Sequence, residues 1–423
     1  MLQINFIRQN IDLVKERLSV KNFSDLSLVD KVVELDEQVR KLKVESEAIQ
    51  AQMNTASKEI GMLMSKGDKA AAELKKQEVA QEKNIIQQLG EQLAAAEKAF
   101  HDEIVKLPNL PHSSVPKGKA PEENVVVREG GKKPTLDKSA VPHWDLIKKY
   151  DLVDFETGAK ITGSGFPLYK GKGAKLQRAL IQYFLDYNTN AGYTEYLPPL
   201  MVNEATAYGT GQLPDKEGQM YHVTEDGFYL IPTAEVPVTN IYRDEIVKEA
   251  DLPIKMTAYT PCFRREAGSF GKDVRGLNRV HQFDKVEIIQ LVNPETDSYE
   301  VLESMVAHVE KLLNMLELPY RILRLCGGDM GFTSALTYDF EVYSAAQERW
   351  LEVSSVSNFE TFQTNRMKIR FKDATGNTQL LHSLNGSSLA LPRIVACLLE
   401  NNQTETGIEL PAILHKYFGA TSI

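Results

Sequence analysis

Cysteine is scarce in this chain: three residues in 423, Cys262, Cys326 and Cys397. They lie far apart with no Cys-x-x-Cys pair and no histidine cluster beside them. That argues against a disulfide framework, leaves no zinc expected, and predicts buried, reduced thiols. Long apolar runs are missing as well. No stretch reaches the roughly 18 apolar residues that a spanning helix needs, so no membrane partner is expected. The first residues, MLQINFIRQNIDLVKERL, carry acids and bases at helical spacing instead of a basic stub before an apolar block. This predicts a cytoplasmic protein without a secretory signal. A basic excess is also absent, since 49 lysines and arginines face 58 acids for a net charge of −9. The balance argues mildly against a nucleic-acid partner, but a local basic patch on an acidic protein still binds phosphate.

What is present is a globular composition, 42% hydrophobic and 25% charged, on a chain long enough for two or three domains. Positions 28, 32, 35, 39, 42, 46, 49, 53, 56, 60 and 63 step by four and three, and only Ser46 among them is polar. This is a heptad seam. Ser27 followed by Asp30 resembles a capping box at its start. The seam stops at SKGD, where Gly67 can take the left-handed conformation of a tight reversal. A second seam runs through Ala72, Val79, Ile86, Leu93 and Phe100, with Leu89 and Ala96 between them and Lys75 and Glu82 interrupting it. Two long helices joined by a short turn make an antiparallel hairpin, roughly 50 to 60 Å long at 1.5 Å per residue. The pattern alone leaves open whether this arm dimerises, spaces domains or binds a ligand.

Residues 106–134 carry five prolines among glycines and charges, which is linker chemistry. The expected organisation is therefore a helical arm over 1–105, a linker over 106–134 and a second domain over 135–423. In that domain 176–187 has helical spacing, while FYLIP, AYTPCFRRE, VHQFDKVEIIQ, YRILRL, YDFEVYS and WLEVSSVS read as strands. Strands joined by hairpins with helices before and after predict an α+β fold on a largely antiparallel sheet.

The most heavily charged hairpin is FRREAGSFGKDVRGLNRVHQFDKVEI, residues 263–288. Alternation puts Arg264 and Glu266 on one face of the first strand, with Phe263 and Arg265 on the other. On the return strand Arg279, His281, Phe283, Lys285 and Glu287 share a face. Guanidinium groups grip phosphate and an aromatic face accepts a purine, so the hairpin suits a nucleotide held beside an amine. The competing reading is a surface hairpin laced with salt bridges and Phe283 in the core. Thr233-Ala234-Glu235 follows a strand. Glu352-Val353-Ser354-Ser355 offers oxygen ligands of the kind Mg²⁺ prefers. The segment from His382 to Gln403 reads as a Gly/Ser turn and then a helix with Pro392 and Arg393 in its first turn, an anion site.

Together these segments resemble the seryl-tRNA synthetases of bacterial type, a class II aminoacyl-tRNA synthetase family, over essentially the whole chain. Gly192 to Pro214 is similar to motif 1, Phe263 to Glu287 to motif 2, and LNGSSLALPRIVACLLEN to motif 3, with TAEVP characteristic of this member of the class. The resemblance implies ATP-dependent activation of L-serine and its transfer to tRNA(Ser), and to tRNA(Sec) where that is present, by a homodimer using ATP and Mg²⁺. It further implies serine contacts at Thr233, Ala234, Glu235, Glu287, Asn385 and Ser387. ATP contacts are implied at Arg264, Arg265, Glu266, Val280, Phe283, Glu352, Val353, Ser354, Ser355 and Arg393. Arg264 and Arg393 are the implied catalytic cations, and Glu352 with Ser355 the implied metal ligands. Simple alternation puts Glu352 with Ser354, so Ser355 needs a bulge or bend there. The loop from Ala267 to Leu277 carries Lys272 and Arg275 among Gly268, Gly271 and Gly276, either a tRNA-facing loop or a solvated tip. Two other readings remain: a synthetase-like ligase loading a carrier protein, and a catalytically silent regulator that works through the coil.

Overall fold

A computed structural model of the chain describes residues 1–215, 218–266 and 275–423. The chain divides into two compact units, residues 1–19 with 23–108, and residues 20–22 with 109–423.

The first unit is helical: α1 (Ile4–Gln9), α2 (Ile11–Val20), α3 (Ser27–Ser65) and α4 (Lys69–Ile104). All eleven seam positions of α3 are buried or half-buried, as are the seam positions of α4. Apolar residues off the seam, such as Val44, Met62 and Leu74, are exposed. The heptad spacing thus set the pairing face. Across the seam's rim Lys31 meets Glu103 and Lys43 meets Glu97, each at 2.7 Å. Such exposed pairs fix register more than they add stability. The reversal uses Gly67 at φ +80°, and the Asp68 side chain accepts the Ala71 N–H at 3.1 Å to cap α4. The capping box at Ser27 does not form. Ser27 is already the first helical residue, its hydroxyl donates to Asp25 at 2.6 Å, and Asp30 pairs with Lys15.

The second unit is built on an eight-stranded sheet. Its strands are β1 (Val125–Gly130), β2 (Thr194–Tyr196), β3 (Ile254–Phe263), β4 (Gln282–Val292), β5 (Tyr320–Arg324), β6 (Leu336–Ser344), β7 (Arg349–Asn358) and β8 (His382–Ala390). The spatial order is β1-β5-β6-β7-β8-β4-β3-β2, and every pairing is antiparallel except the edge pair of β2 with β3. The helices that matter below are α5 (His143–Lys149), α6 (Gly171–Asn190), α7 (Glu235–Thr239), α8 (Ser298–Met315), α9 (Phe362–Met367) and α10 (Leu391–Asn401).

One face of the sheet is closed by α6, α8 and α10. Leu176 and Phe184, Leu302 and Val309, and Ile394 and Leu398 from those helices share a core with Val286, Ile288, Phe340 and Val356. Alternation on β4 then turns Phe283, Lys285 and Glu287 to the opposite face, where they line a cavity, while Ile289 and Leu291 join a second cluster. The stretch read as a Gly/Ser turn is instead strand β8, between β4 and β7 at the sheet's centre. Its small residues serve packing: a Cβ on Gly386 would meet the Val356 methyls at 3.0 and 3.2 Å. The helix predicted to follow, with Pro392 and Arg393 in its first turn, is α10. All three cysteines are free and buried.

Candidate active site

The cavity over the centre of the sheet has a volume of about 510 Å³. Its first wall comes from the β3–β4 hairpin. The ladder ends earlier than alternation predicts, at Phe263 and Gln282, and Glu266 takes φ +48°. Even so, Arg264 and Glu266 both face the cavity. Phe283 is half-buried and lines the cavity, with the Arg264 guanidinium 5.2 Å from its ring centroid and the Arg264 Nε donating to the Pro232 carbonyl at 3.3 Å. Glu266 pairs with Arg279 at 3.2 Å. The result is a flat aromatic surface beside a guanidinium and a carboxylate, suited to a purine and its phosphate. Val280 completes this wall. His281 does not face the cavity: its Nδ1 lies 3.0 Å from the Arg264 carbonyl, and its ring stacks on Phe166.

The floor is a buried polar cluster. On β4 and β8, Glu287 pairs directly with Ser387, and Ile289 with Asn385, so both β8 side chains fall beside Glu287. Thr233 and Ser387 donate to Glu287 Oε2 at 3.4 and 3.5 Å, and Lys285 Nζ lies 2.6 Å from the same oxygen. At the start of α7, Glu235 accepts from Gln363 Nε2 of α9 at 2.6 Å. Burial, then the neighbouring charge of Glu287, pushes the Glu235 carboxyl up from 4.5 to about 7. Two buried acids share one lysine here. The cluster is therefore short of positive charge, and an incoming ammonium would supply it.

The third wall is β7. Its register against β6 pairs Ser355 with Asp339, Ser354 with Phe340 and Glu352 with Glu341, leaving Val353 as the extra residue of a bulge. This is the irregularity expected from the spacing, and it lets Glu352 and Ser355 line the same cavity. The Ser355 hydroxyl donates to Asp339. Burial and the charge of Glu352 hold the Asp339 carboxyl well above its ordinary value. The Glu352 carboxylate, 3.7 Å from Arg393 Nη1, and the Ser355 hydroxyl are oxygen donors of the kind a hard divalent cation takes. Among the described residues no group of three or more histidine, cysteine or acid side chains is arranged as a metal site, so the fit rests on Glu352 and Ser355. Arg393 crosses from α10, donating from Nη1 to the Glu352 carbonyl at 2.7 Å and from Nε to the Asn278 carbonyl at 2.9 Å.

Fourteen of the sixteen residues named from the sequence line this cavity. Ala234 does not: it is buried in an apolar cluster beneath it. Arg265 is exposed, with its guanidinium 5.8 Å from the Tyr221 ring. Gly268, Gly271 and Lys272 of the intervening loop lie outside the described residues. Sequence reasoning placed Lys285 on the face of Glu287 but gave it no role, and it passed over Asn278 and Gln363. Gln363 carries no local signal, because only the fold brings α9 under α7.

Comparison with known proteins agrees with this architecture. Residues 221–402 match the family model for the tRNA synthetase class II core domain (G, H, P, S and T), and residues 1–111 match the seryl-tRNA synthetase N-terminal domain. The serine-tRNA ligase of Salinibacter ruber is 50% identical over 425 residues, covering 100% of this chain and 99% of that one. The corresponding ligase of Trichlorobacter lovleyi is 47% identical, covering 99% and 98%. Among solved structures, the Pyrococcus horikoshii seryl-tRNA synthetase complexed with ATP superimposes with a TM-score of 0.92 at 34% identity, covering 100% of this chain and 99% of that one. Full-length similarity at this level, with both family models in their expected places, establishes that the chain belongs to the seryl-tRNA synthetase family.

Proposed function

We infer that the protein activates L-serine with ATP and transfers the seryl group to tRNA(Ser), and to tRNA(Sec) where that is present. In the first step a serine carboxylate oxygen attacks the α-phosphorus in line. The new P–O bond forms as the bond to the β-phosphate breaks, giving seryl-adenylate and pyrophosphate. The attacking carboxylate is ionised at neutral pH, so the step needs no general base. Charge neutralisation and alignment supply the acceleration. In the second step a ribose hydroxyl of the tRNA's terminal adenosine attacks the seryl carbonyl, and AMP leaves.

The observation that carries this reading is one cavity holding an aromatic–guanidinium wall next to a pair of buried acids short of positive charge. In it, Glu235 and Glu287 receive the serine ammonium, Thr233 lies beside them, and Asn385 and Ser387 surround the hydroxyl. Phe283 stacks on adenine, Glu266 takes its amino group, and the Val280 backbone approaches the nucleotide. Arg264 meets the α-phosphate and Arg393 the γ-phosphate. Glu352 and Ser355 would hold Mg²⁺, which supplies charge neutralisation at the phosphates. The helical arm reads the shape of a tRNA, a mode of recognition that suits its modest charge.

Pyrophosphate exchange measured with each of the twenty amino acids, followed by charging of total tRNA, tests the whole reading. Serine alone should support exchange, and charging should be confined to serine acceptors. Exchange without charging would favour the carrier-protein ligase, against which the arm and the full-length relatives argue. No exchange at all would favour the silent regulator.

A further inference from the structure

Behind the active-site wall lies a polar cluster, built on a fully buried His143–Glu400 pair, that touches no expected substrate. His143, the first residue of α5, and Glu400, near the end of α10, are both 0% exposed. Glu400 Oε1 accepts from the His143 backbone N–H at 2.9 Å and lies 2.6 Å from its Nδ1. The Ser344 hydroxyl and Gln347 Nε2 also donate to Glu400, the latter at 2.9 Å. On the other side of the ring, the Leu277 N–H donates to His143 Nε2 at 2.9 Å. A backbone N–H can only donate, so Nε2 must be the unprotonated nitrogen and Nδ1 carries the proton toward Glu400. The tautomer is thus fixed by its two neighbours.

Leu277 and Asn278 form the foot of the hairpin loop where it re-enters β4, and both line the active cavity. Asn278 is 3% exposed; its amide donates to Gln347 Oε1 at 2.9 Å, and its carbonyl accepts Arg393 Nε at 2.9 Å. Gly276 makes the close approach possible. It takes φ +56°, and a Cβ there would stand 2.4 Å from His143 Nε2. One continuous chain of hydrogen bonds therefore runs from Glu400 through His143 and Gln347 to the loop foot, and from Asn278 to Arg393.

We propose that His143, oriented by Glu400 and supported by Gln347, is a positioning residue for the ATP site: it anchors Leu277 and Asn278 so that the Asn278 carbonyl holds the Arg393 guanidinium in place. The inference rests on the reading that Arg393 meets ATP. Arg393 Nη1 is held from the sheet by the Glu352 carbonyl at 2.7 Å and the Glu352 carboxylate at 3.7 Å, whereas its Nε is held from the loop foot, at the Asn278 carbonyl. A hydrogen-bonded network centred on the buried His143–Glu400 pair supplies rigidity at this point.

Two isosteric variants separate the ring's two bonds. His143→Asn keeps an amide donor near the Nδ1 position but loses the acceptor for Leu277 N–H. His143→Gln keeps an oxygen near the Nε2 position and loses the donor to Glu400. In serine-dependent pyrophosphate exchange, His143→Asn should raise the ATP KM by about tenfold, the scale of one lost buried hydrogen bond. The serine KM should stay within about twofold, and His143→Gln should recover most of the ATP KM. In an Arg393→Ala background, His143→Asn should change the ATP KM by less than about twofold, because the two act through one contact. Equal increases in both KM values, or additive effects in the double variant, would overturn the proposal. If His143→Asn does not fold, Gln347→Leu removes the brace from a partly exposed position. It should give a smaller increase confined to ATP, and an unchanged ATP KM would overturn the proposal. An Arg393→Ala enzyme with an unchanged ATP KM would instead overturn the site reading, and the brace with it.

Discussion

At the residue scale the proposed serine site is governed by how two buried acids divide their charge. Glu235 sits near 7 where an exposed glutamate would sit at 4.5. For an acid raised in this way, the protonated form stabilises the fold; that contribution is complete below about 4.5 and is lost as pH rises through about 7. Binding an ammonium reverses the preference, because the ligand needs the ionised carboxylate. Serine binding to the free enzyme should therefore release a proton below neutral pH, seen in calorimetry as a heat that changes with buffer ionisation enthalpy. The serine KM should rise as pH falls below about 7, and Glu235→Gln should remove that slope. Glu287→Ala should raise the serine KM by about 100-fold with far less change for ATP. It removes one of the two carboxylates proposed to meet the ammonium and breaks the 2.6 Å ion pair of buried Lys285, leaving only Glu235 nearby to balance that charge. Equal changes in the two KM values would count against the assignment. Phe283→Ala should do the reverse, raising the ATP KM by about tenfold, since base stacking on an aromatic is worth about 1–3 kcal/mol.

Elements differ in how plainly their sequences announce them. The paired seams of the arm were legible, though not the cap at Ser27, because a two-helix seam leaves the heptad as the dominant pattern. Strand β4 was legible in part: alternation gave Phe283, Lys285 and Glu287 their common face, but not where the ladder stops. The bulge on β7 was legible as a necessity, since Glu352 and Ser355 can meet on one face only if alternation breaks between them. Strand β8 was not. Asn-Gly-Ser-Ser is turn chemistry in isolation, and a central strand buried on both faces shows no alternation to contradict it. What fixes it as a strand is the space between β4 and β7, which no local window contains. Gly386→Ala tests that account. The added methyl should lower stability by about 1–3 kcal/mol through overpacking against Val356, and Val356→Ala should restore part of the loss in thermal melts.

At the scale of the whole molecule, two features point beyond a single catalytic unit. β2 lies at the edge of the sheet, with no partner strand on its outer side among the described residues, and Leu197, just after it, is 86% exposed with Met201 at 51%. A short edge strand followed by exposed apolar side chains invites pairing with a second copy. We propose a homodimer through the segment from Gly192 to Pro214. Leu197→Asp should shift sedimentation from dimer to monomer, and a wild-type chain that sediments as a monomer at micromolar concentration would dismiss the idea. The arm supplies the other feature. Removing residues 44–96 and closing the helices above the Lys43–Glu97 pair should leave serine-dependent exchange intact and abolish tRNA charging.

The arm's seam also has a polar interruption near its far end. Lys75 reaches across to Glu59 at 3.3 Å, and Glu82 leaves one carboxylate oxygen buried with no hydrogen-bond partner. A ribbon two helices thick has no other layer to make up for such gaps, so its outer end should open at a small fraction of the free energy that unfolds its base. Amide exchange should grade along the arm, fastest toward the Gly67 reversal. Replacing both Lys75 and Glu82 with leucine should slow that exchange and stiffen the surface proposed to follow the contours of different acceptors.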